Sequence, residues 1–219
     1  MYVEFAIINT DTTDKDAKET LLEVVKYNVD SIVVPYHLLK IVKSLKKQRM
    51  AISCLIDFPM GISDPTTRIF ATEQAIKAGA DSIDITMPQN LAANRSYTKI
   101  RDEIKTLKEL CGDKVTIKYI LEYRTFDHKC LKKICEIFDE YQITFACPST
   151  GFFIDNLADN LIASSFLHQN SKEVNVIATG NAWTEHHFSI LNKSGVFGFR
   201  TFNLESLKRY QVFNPKSVY

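Results

Sequence analysis

From one end of this chain to the other, short β-rich runs alternate with segments of helical period, and that alternation limits the fold more than any other feature. The runs are Glu4–Asn9, Ser31–Pro35, Ala51–Phe58, Ser82–Thr86, Val115–Glu122, Ile143–Cys147, Val174–Thr179 and Val196–Arg200. They are rich in Val, Ile and Phe and bounded by Pro, Gly, Asp or Asn. Between them, Lys15–Tyr27, Thr67–Ala78, Lys99–Leu110 and Asp127–Tyr141 repeat apolar residues at three and four positions, as a helix with one buried face requires. Strands joined through helices pair in parallel, and eight such units close into a barrel that leaves no open sheet edge. The expectation is therefore one α/β domain over residues 1–219, a (β/α)8 TIM barrel. An open doubly wound sheet is the structural rival. It would need a glycine-rich turn after the first strand, and the chain has 7 glycines and no G-x-G-x-x-G there.

Charge narrows the classes of partner. Lys+Arg number 27 and Asp+Glu 26, which leaves none of the basic excess of a nucleic-acid footprint. The densest basic run, Lys40–Arg49, reads as the solvated face of an amphipathic helix. No apolar stretch approaches the ~20 residues of a membrane span, and no signal peptide precedes the first strand. Cys54, Cys111, Cys130, Cys135 and Cys147 are an odd set in a chain too large to need staples, so reduced thiols and a cytoplasmic location are expected. Cys130 and Cys135 lack a second pair at zinc spacing, and neither a metal nor a cofactor is expected. His186 and His187 follow Thr184, a plausible N-cap, and adjacent helical residues do not share a face, so a surface role is read for both.

In such a barrel the chemistry sits at the C-terminal ends of the strands. Polar residues inside runs of Ile, Val and Phe are the informative ones, because an interior charge is costly unless paired or used. Asp84 and Thr86 end the fourth run, Lys118 and Glu122 lie on the fifth, and Cys147 ends the sixth before Ser149, Thr150 and Gly151. Thr179, Gly180 and Asn181 close the seventh, and Arg200 and Thr201 the eighth. For Lys118 two readings stand side by side: an ion pair with Asp84 or Glu122, and a proton-transfer role. Cys147 reads as a small buried hydrophobe or as a reactive thiol.

Taken together, IDFPMG (Ile56–Gly61), KAGADSIDIT (Lys77–Thr86), IKYILE (Ile117–Glu122), PSTGF (Pro148–Phe152) and ATGNAWT (Ala178–Thr184) are similar in order and spacing to deoxyribose-phosphate aldolase. The resemblance runs from about Ser31 to Asn203. It implies a (β/α)8 barrel that cleaves a 2-deoxy sugar phosphate through a Schiff-base lysine on strand six, with an activating lysine on strand seven and a proton-relaying aspartate on strand four. It also implies a phosphate held by backbone amides of the turns after strands seven and eight. The aspartate falls on Asp84 and a strand-five lysine on Lys118. The Schiff-base lysine falls on Cys147 and the activating lysine on Ile177. The Gly-Gly pair has become Gly180-Asn181, an arginine has become Trp183, and the strand-eight G-T-S falls on Arg200-Thr201-Phe202. A lysine and a glutamate of the helix before strand four fall on Arg68 and Ala71.

An imine needs a primary amine, which neither a thiol nor a hydrocarbon supplies. Two classes of function follow. One is a barrel enzyme, a lyase if active, with Asp84, Lys118 and Cys147 as catalytic candidates. Its substrate would be a small, phosphorylated sugar or an aldehyde, contacted by Thr86, Glu122, Ser149, Thr150, Gly151, Thr179, Gly180, Asn181, Arg200 and Thr201. In that scheme Arg200 stands in as the anion partner. The other is a catalytically inactive homologue that serves as a metabolite-binding or protein-interaction module. Pairing into a homodimer fits either class.

Overall fold

A computed structural model of the chain describes residues 1–45, 49–153 and 156–214. Its sheet is a closed ring of eight parallel strands in chain order, the last pairing with the first. The strands are β1 (Tyr2–Ala6), β2 (Ser31–Pro35), β3 (Ala51–Ile56), β4 (Ser82–Thr86), β5 (Thr116–Ile120), β6 (Phe145–Cys147), β7 (Asn175–Thr179) and β8 (Gly198–Thr201). Each overlaps one of the expected runs. β1 starts two residues earlier and ends three earlier than its run, and β6 and β8 start two residues later than theirs.

The helices between them are α1 (Asp14–Val24), α2 (Leu39–Leu45), α3 (Pro65–Ala78), α4 (Gln89–Ala93), α5 (Tyr97–Cys111), α6 (His128–Glu140), α7 (Leu157–Asn170), α8 (Glu185–Lys193) and α9 (Leu204–Phe213). Their starts follow local rules. Thr13 and Asp16 form a capping box on α1, Asp64 caps α3 ahead of Pro65, and Asp127 caps α6. Thr184 caps α8 through the His187 amide, as its position in the sequence suggests. The basic run Lys40–Arg49 enters α2, which ends at Leu45; residues 46–48 lie outside the described residues. Of the exposed helix faces, no helix among the described residues is long and apolar enough to cross a membrane.

Strand pleating sends alternate residues to the two sides of the barrel wall. Outward residues such as Val3, Ile32, Cys54, Ile83, Tyr119 and Phe199 join the buried faces of the helices in the main core. Inward residues form a separate, smaller cluster: Ala6, Val33, Leu55, Ile120, Cys147 and Ile177, one from each of six strands. Two residues earlier on β1, β3 and β5 lie Glu4, Ser53 and Lys118, so on these strands polar side chains sit beneath the apolar ones on the N-terminal side, while Cys147 stands beside Glu4 and Asp84 and Ile177 shares a cleft with Lys118.

Candidate functional site

Register builds the polar layer. Glu4 of β1 lies beside Arg200 of β8, and Asp84 of β4 beside Lys118 of β5. All four side chains are buried, and the two pairs meet across the barrel. Arg200 donates to Glu4 at 2.5 and 2.7 Å and also pairs with Asp84. The Lys118 ammonium stands 2.9 Å from Asp84 and also bonds Glu4. The Ser53 hydroxyl donates to Asp84 at 2.5 Å. Two cations and two anions thus compensate one another with their lone pairs and protons occupied, the condition under which buried charge is tolerated.

This arrangement sets the titration of the layer. Burial pushes the Asp84 carboxyl up, but Arg200 and Lys118 outweigh it and hold it below the ordinary carboxylate range. Burial pushes the Lys118 amine down, and Asp84 and Glu4 outweigh that, so Lys118 stays an ammonium. The linkage signs are opposite. The Asp84 contribution to stability is complete above an unfolded-state value of about 4 and is lost as pH falls through the lower native value. The Lys118 contribution is complete below an unfolded-state value of about 10.4 and is lost as pH rises through the higher native value. Burial also pushes up the thiols of Cys54, Cys111, Cys135 and Cys147, whose contribution is lost as pH rises above an unfolded-state value of about 8.5. We therefore expect a urea midpoint that is level from about pH 5 to about pH 8 and falls on both sides, the alkaline fall above about pH 10 being blunted in Lys118→Met. An alkaline fall of equal size in that variant would assign it to other groups.

Asp84, Lys118 and Cys147 do come together. The Cys147 sulfur, a Glu4 oxygen and an Asp84 oxygen lie within 4.8 Å of one another. Cys147 faces the barrel axis with apolar neighbours on one side and the charged layer on the other, and burial pushes its thiol up to about 12, so it is not a thiolate at neutral pH. All five cysteines are free and buried. A metal at Glu4, Asp84 and Cys147 would have to displace the ammonium and the guanidinium that already pair with both carboxylates, so the donor set fits a cation poorly.

Two expectations about charges need correction. Glu122 is not a partner of Lys118. It ends β5 in a left-handed conformation and its carboxylate accepts the Thr150 amide, fastening the turn after β6. Arg200 is not available to an anion at the mouth, because its guanidinium is buried against Glu4 and Asp84. Glu4, the carboxylate that both cations share, was not singled out from the sequence. The signal was there: it is an acid inside the run EFAIIN, just as Lys118 is a base inside TIKYI.

At the C-terminal mouth the remaining candidates form a rim. Thr86 and Thr179 end β4 and β7 fully buried, each with a hydroxyl that has no protein partner among the described residues. Ser149 bonds the Asn160 side chain, Thr150 Oγ1 accepts the Phe152 amide, and Thr201 donates to Asn181 at 2.8 Å. Gly151 has φ +74°, and a Cβ there would lie 2.8 Å from the Phe202 ring and 2.9 Å from Thr179, so only glycine fits. Phe58 and Phe202 pack on the apolar layer, and Phe152 meets Phe58 edge-on with centroids 6.3 Å apart. A second network, unseen in the sequence, braces the rim from behind. Buried Arg68 pairs with Asp57 and, at 3.0 Å, with Glu103, and donates to the Thr86 carbonyl at 2.7 Å.

Clefts open at both ends of the barrel. One of about 310 Å³ at the C-terminal end is lined by Asn9, Asp11, Thr12 and Phe202. Another of about 350 Å³ lies beside Asn181, Trp183 and His187. The cleft that Lys118 lines, about 240 Å³, opens at the opposite, N-terminal end with Tyr2, Ser82 and Thr116.

Residues 3–146 match the DeoC/LacD family aldolase family. The chain belongs to this family. The matched segment holds Asp84 and Lys118 and ends one residue before Cys147. A deoxyribose-phosphate aldolase from Clostridioides difficile (strain 630) is 33% identical over 149 residues, 68% of either chain. Among solved structures, an aldolase called QR15 superposes with TM-score 0.82 at 21% identity over 97% of both chains. The deoxyribose phosphate aldolase of Aeropyrum pernix, described as a tetramer, gives 0.79 at 16% identity over 97% of this chain and 90% of its own. At those identities the superpositions establish the barrel and leave its chemistry to the site.

Proposed function

We propose that this DeoC/LacD-family barrel binds a small sugar or aldehyde at its C-terminal mouth and does not cleave it through a Schiff base. The observation that carries the reading is the state of the interior amines. Lys118 is the one buried lysine among the described residues, and it is held as an ammonium between Glu4 and Asp84, beneath the apolar layer. An imine forms from a neutral amine, and an ammonium tied to two carboxylates is neither free nor nucleophilic. At the β6 and β7 positions that the family resemblance assigns to lysines stand Cys147 and Ile177, both fully buried and neither an amine.

Borohydride reduction in the presence of acetaldehyde, followed by peptide mass analysis, tests this. The expected result is no adduct at Lys118 and only slow labelling of surface lysines, with no cleavage of 2-deoxyribose 5-phosphate above background. A stoichiometric adduct at Lys118, or turnover of that ester, would defeat the reading. Interaction with another protein is a second reading. It draws on the exposed Tyr36, Met60, Ile62, Phe152, Phe153 and Trp183, all on segments that follow the C-terminal ends of strands.

A further inference from the structure

At the N-terminal end of the barrel the first inward residues of the strands leave space. Tyr2, Ser31, Ala51, Ser82, Phe145 and Gly198 lie two positions before inward residues such as Glu4, Ser53, Asp84 and Arg200, so they point to the same axis. Barrel interiors are ordinarily filled in layers by Val, Ile and Leu. Ser31, Ala51, Ser82 and Gly198 are too small to do this. What remains is the cleft of about 240 Å³ that Lys118 lines.

Three rings line it. Tyr2 and Phe197 have centroids 5.3 Å apart and are tilted by 34°, and Phe145 meets Phe197 edge-on at 5.2 Å. At Gly198 an added Cβ would lie 3.0 Å from the Tyr2 carbonyl and 3.2 Å from its ring, so the glycine gives that ring its place. Ile177, fully buried, adds hydrocarbon. Phe197 is 39% exposed and Asp81 and Thr116 are exposed, which marks the entrance. Lys118 and Ser82 are 2% and 5% exposed and mark the buried end.

That buried end offers a donor without offering a net charge. An ammonium carries three protons. Glu4 and Asp84 take two of those on Lys118, and among the described residues no third acceptor stands at its Nζ. The charges are already balanced, because Lys118 and Arg200 face Glu4 and Asp84. An entering anion would lie uncompensated beside the two carboxylates, and an entering cation beside the two cations. At the entrance the Asp81 carboxylate accepts the Ile52 amide at 2.9 Å. An apolar cavity of about 150 Å³ holds benzene, so this cleft has room for a ring with a short substituent. A further ring would extend the tilted and edge-on packing of the three already there.

We propose that the N-terminal end of the barrel binds a compact, uncharged aromatic molecule through one hydrogen-bond acceptor, with the acceptor received by Lys118 and the ring held by Tyr2, Phe145 and Phe197. The site lies at the end opposite the mouth and does not depend on what the mouth binds.

Amide NMR of the full chain, titrated with benzamide, benzoate and toluene, tests it. Benzamide is expected to shift the amides of Ala51, Ser82, Thr116 and Phe197 saturably, with a Kd on the order of 1 mM, and to leave Gly151, Gly180 and Asn181 at the mouth unmoved. Toluene lacks the acceptor and benzoate carries a charge, and each is expected to bind at least about fivefold more weakly. Ala51→Leu fills the cleft and is expected to abolish binding. Phe197→Ala truncates a partly exposed ring and is expected to weaken binding about tenfold while the spectrum stays that of the folded protein; it carries the test if Ala51→Leu does not fold. A spectrum unmoved by benzamide, or shifts confined to the mouth, overturns the proposal. Benzoate binding as tightly as benzamide overturns the neutral ligand, toluene binding as tightly overturns the Lys118 contact, and an unchanged affinity in Phe197→Ala overturns the location.

Discussion

Replacing Glu4 by glutamine is expected to remove about 3–5 kcal/mol of folding free energy, the usual loss when one partner of a buried ionic group is deleted. Glutamine keeps the shape of the side chain, so packing is not what changes. What changes is that Lys118 and Arg200 are left with Asp84 as the one carboxylate between them, and the sealed interior acquires a net positive charge. Domains of ordinary stability have about 5–15 kcal/mol in total, so this single amide would remove about a fifth of it or more. Urea unfolding followed by circular dichroism measures the loss. Combining Glu4→Gln with Lys118→Met removes one charge of each sign, and the pair is expected to be more stable than the sum of the singles by about 1–3 kcal/mol. A loss below about 1 kcal/mol in the single variant would mean that the layer is hydrated and not sealed.

The second large effect is a gain. Cys147→Lys is expected to convert a chain that traps no aldehyde into one that does. The introduced amine would lie beside the charged layer, close to Lys118 and Arg200 and to the Glu4 and Asp84 carboxylates that those two cations already neutralise. Both burial and neighbouring positive charge lower a lysine's pKa, by up to about 3–5 units at fully buried positions, which leaves a neutral nucleophile near pH 8. Acetaldehyde with borohydride should then mark position 147 stoichiometrically. The cost is stability: the variant is expected to be about 2–4 kcal/mol less stable at pH 7, and the deficit should shrink as pH rises toward 10, because its unfolded state binds the extra proton. A folded variant with no adduct at position 147 would show that carbonyl compounds do not reach the β6 end.

Much of this could be read without coordinates, and what could not has a common cause. The eight strands are legible because each is a compact apolar run between breakers, and the long helices because their apolar period is unbroken. The short α4, which begins straight after Pro88, has too few residues to show a period. Cys147 and Ile177 could be singled out because the family resemblance aligns them with lysines of strands six and seven. The charge partners could not be assigned. Lys118 and Glu4 are 114 residues apart, and Arg200 and Glu4 are 196 apart. Local reading sees that each is an oddity in an apolar run but not which of them meet. Glu103 hid for another reason: on a helix full of charged residues, nothing marks the one acid that turns inward to Arg68.

Because β8 completes the ring beside β1, Glu4 has to wait for Arg200, 196 residues further along, before its two oxygens are both answered. A ribosome-bound chain lacking β8 would hold a half-neutralised charge in an open trough. The barrel should consequently set late and all at once, as long-range contacts that dominate a fold make it slow and cooperative. For this chain, then, the same residues that leave its centre chemically quiet also act as a check that β8 has joined the ring.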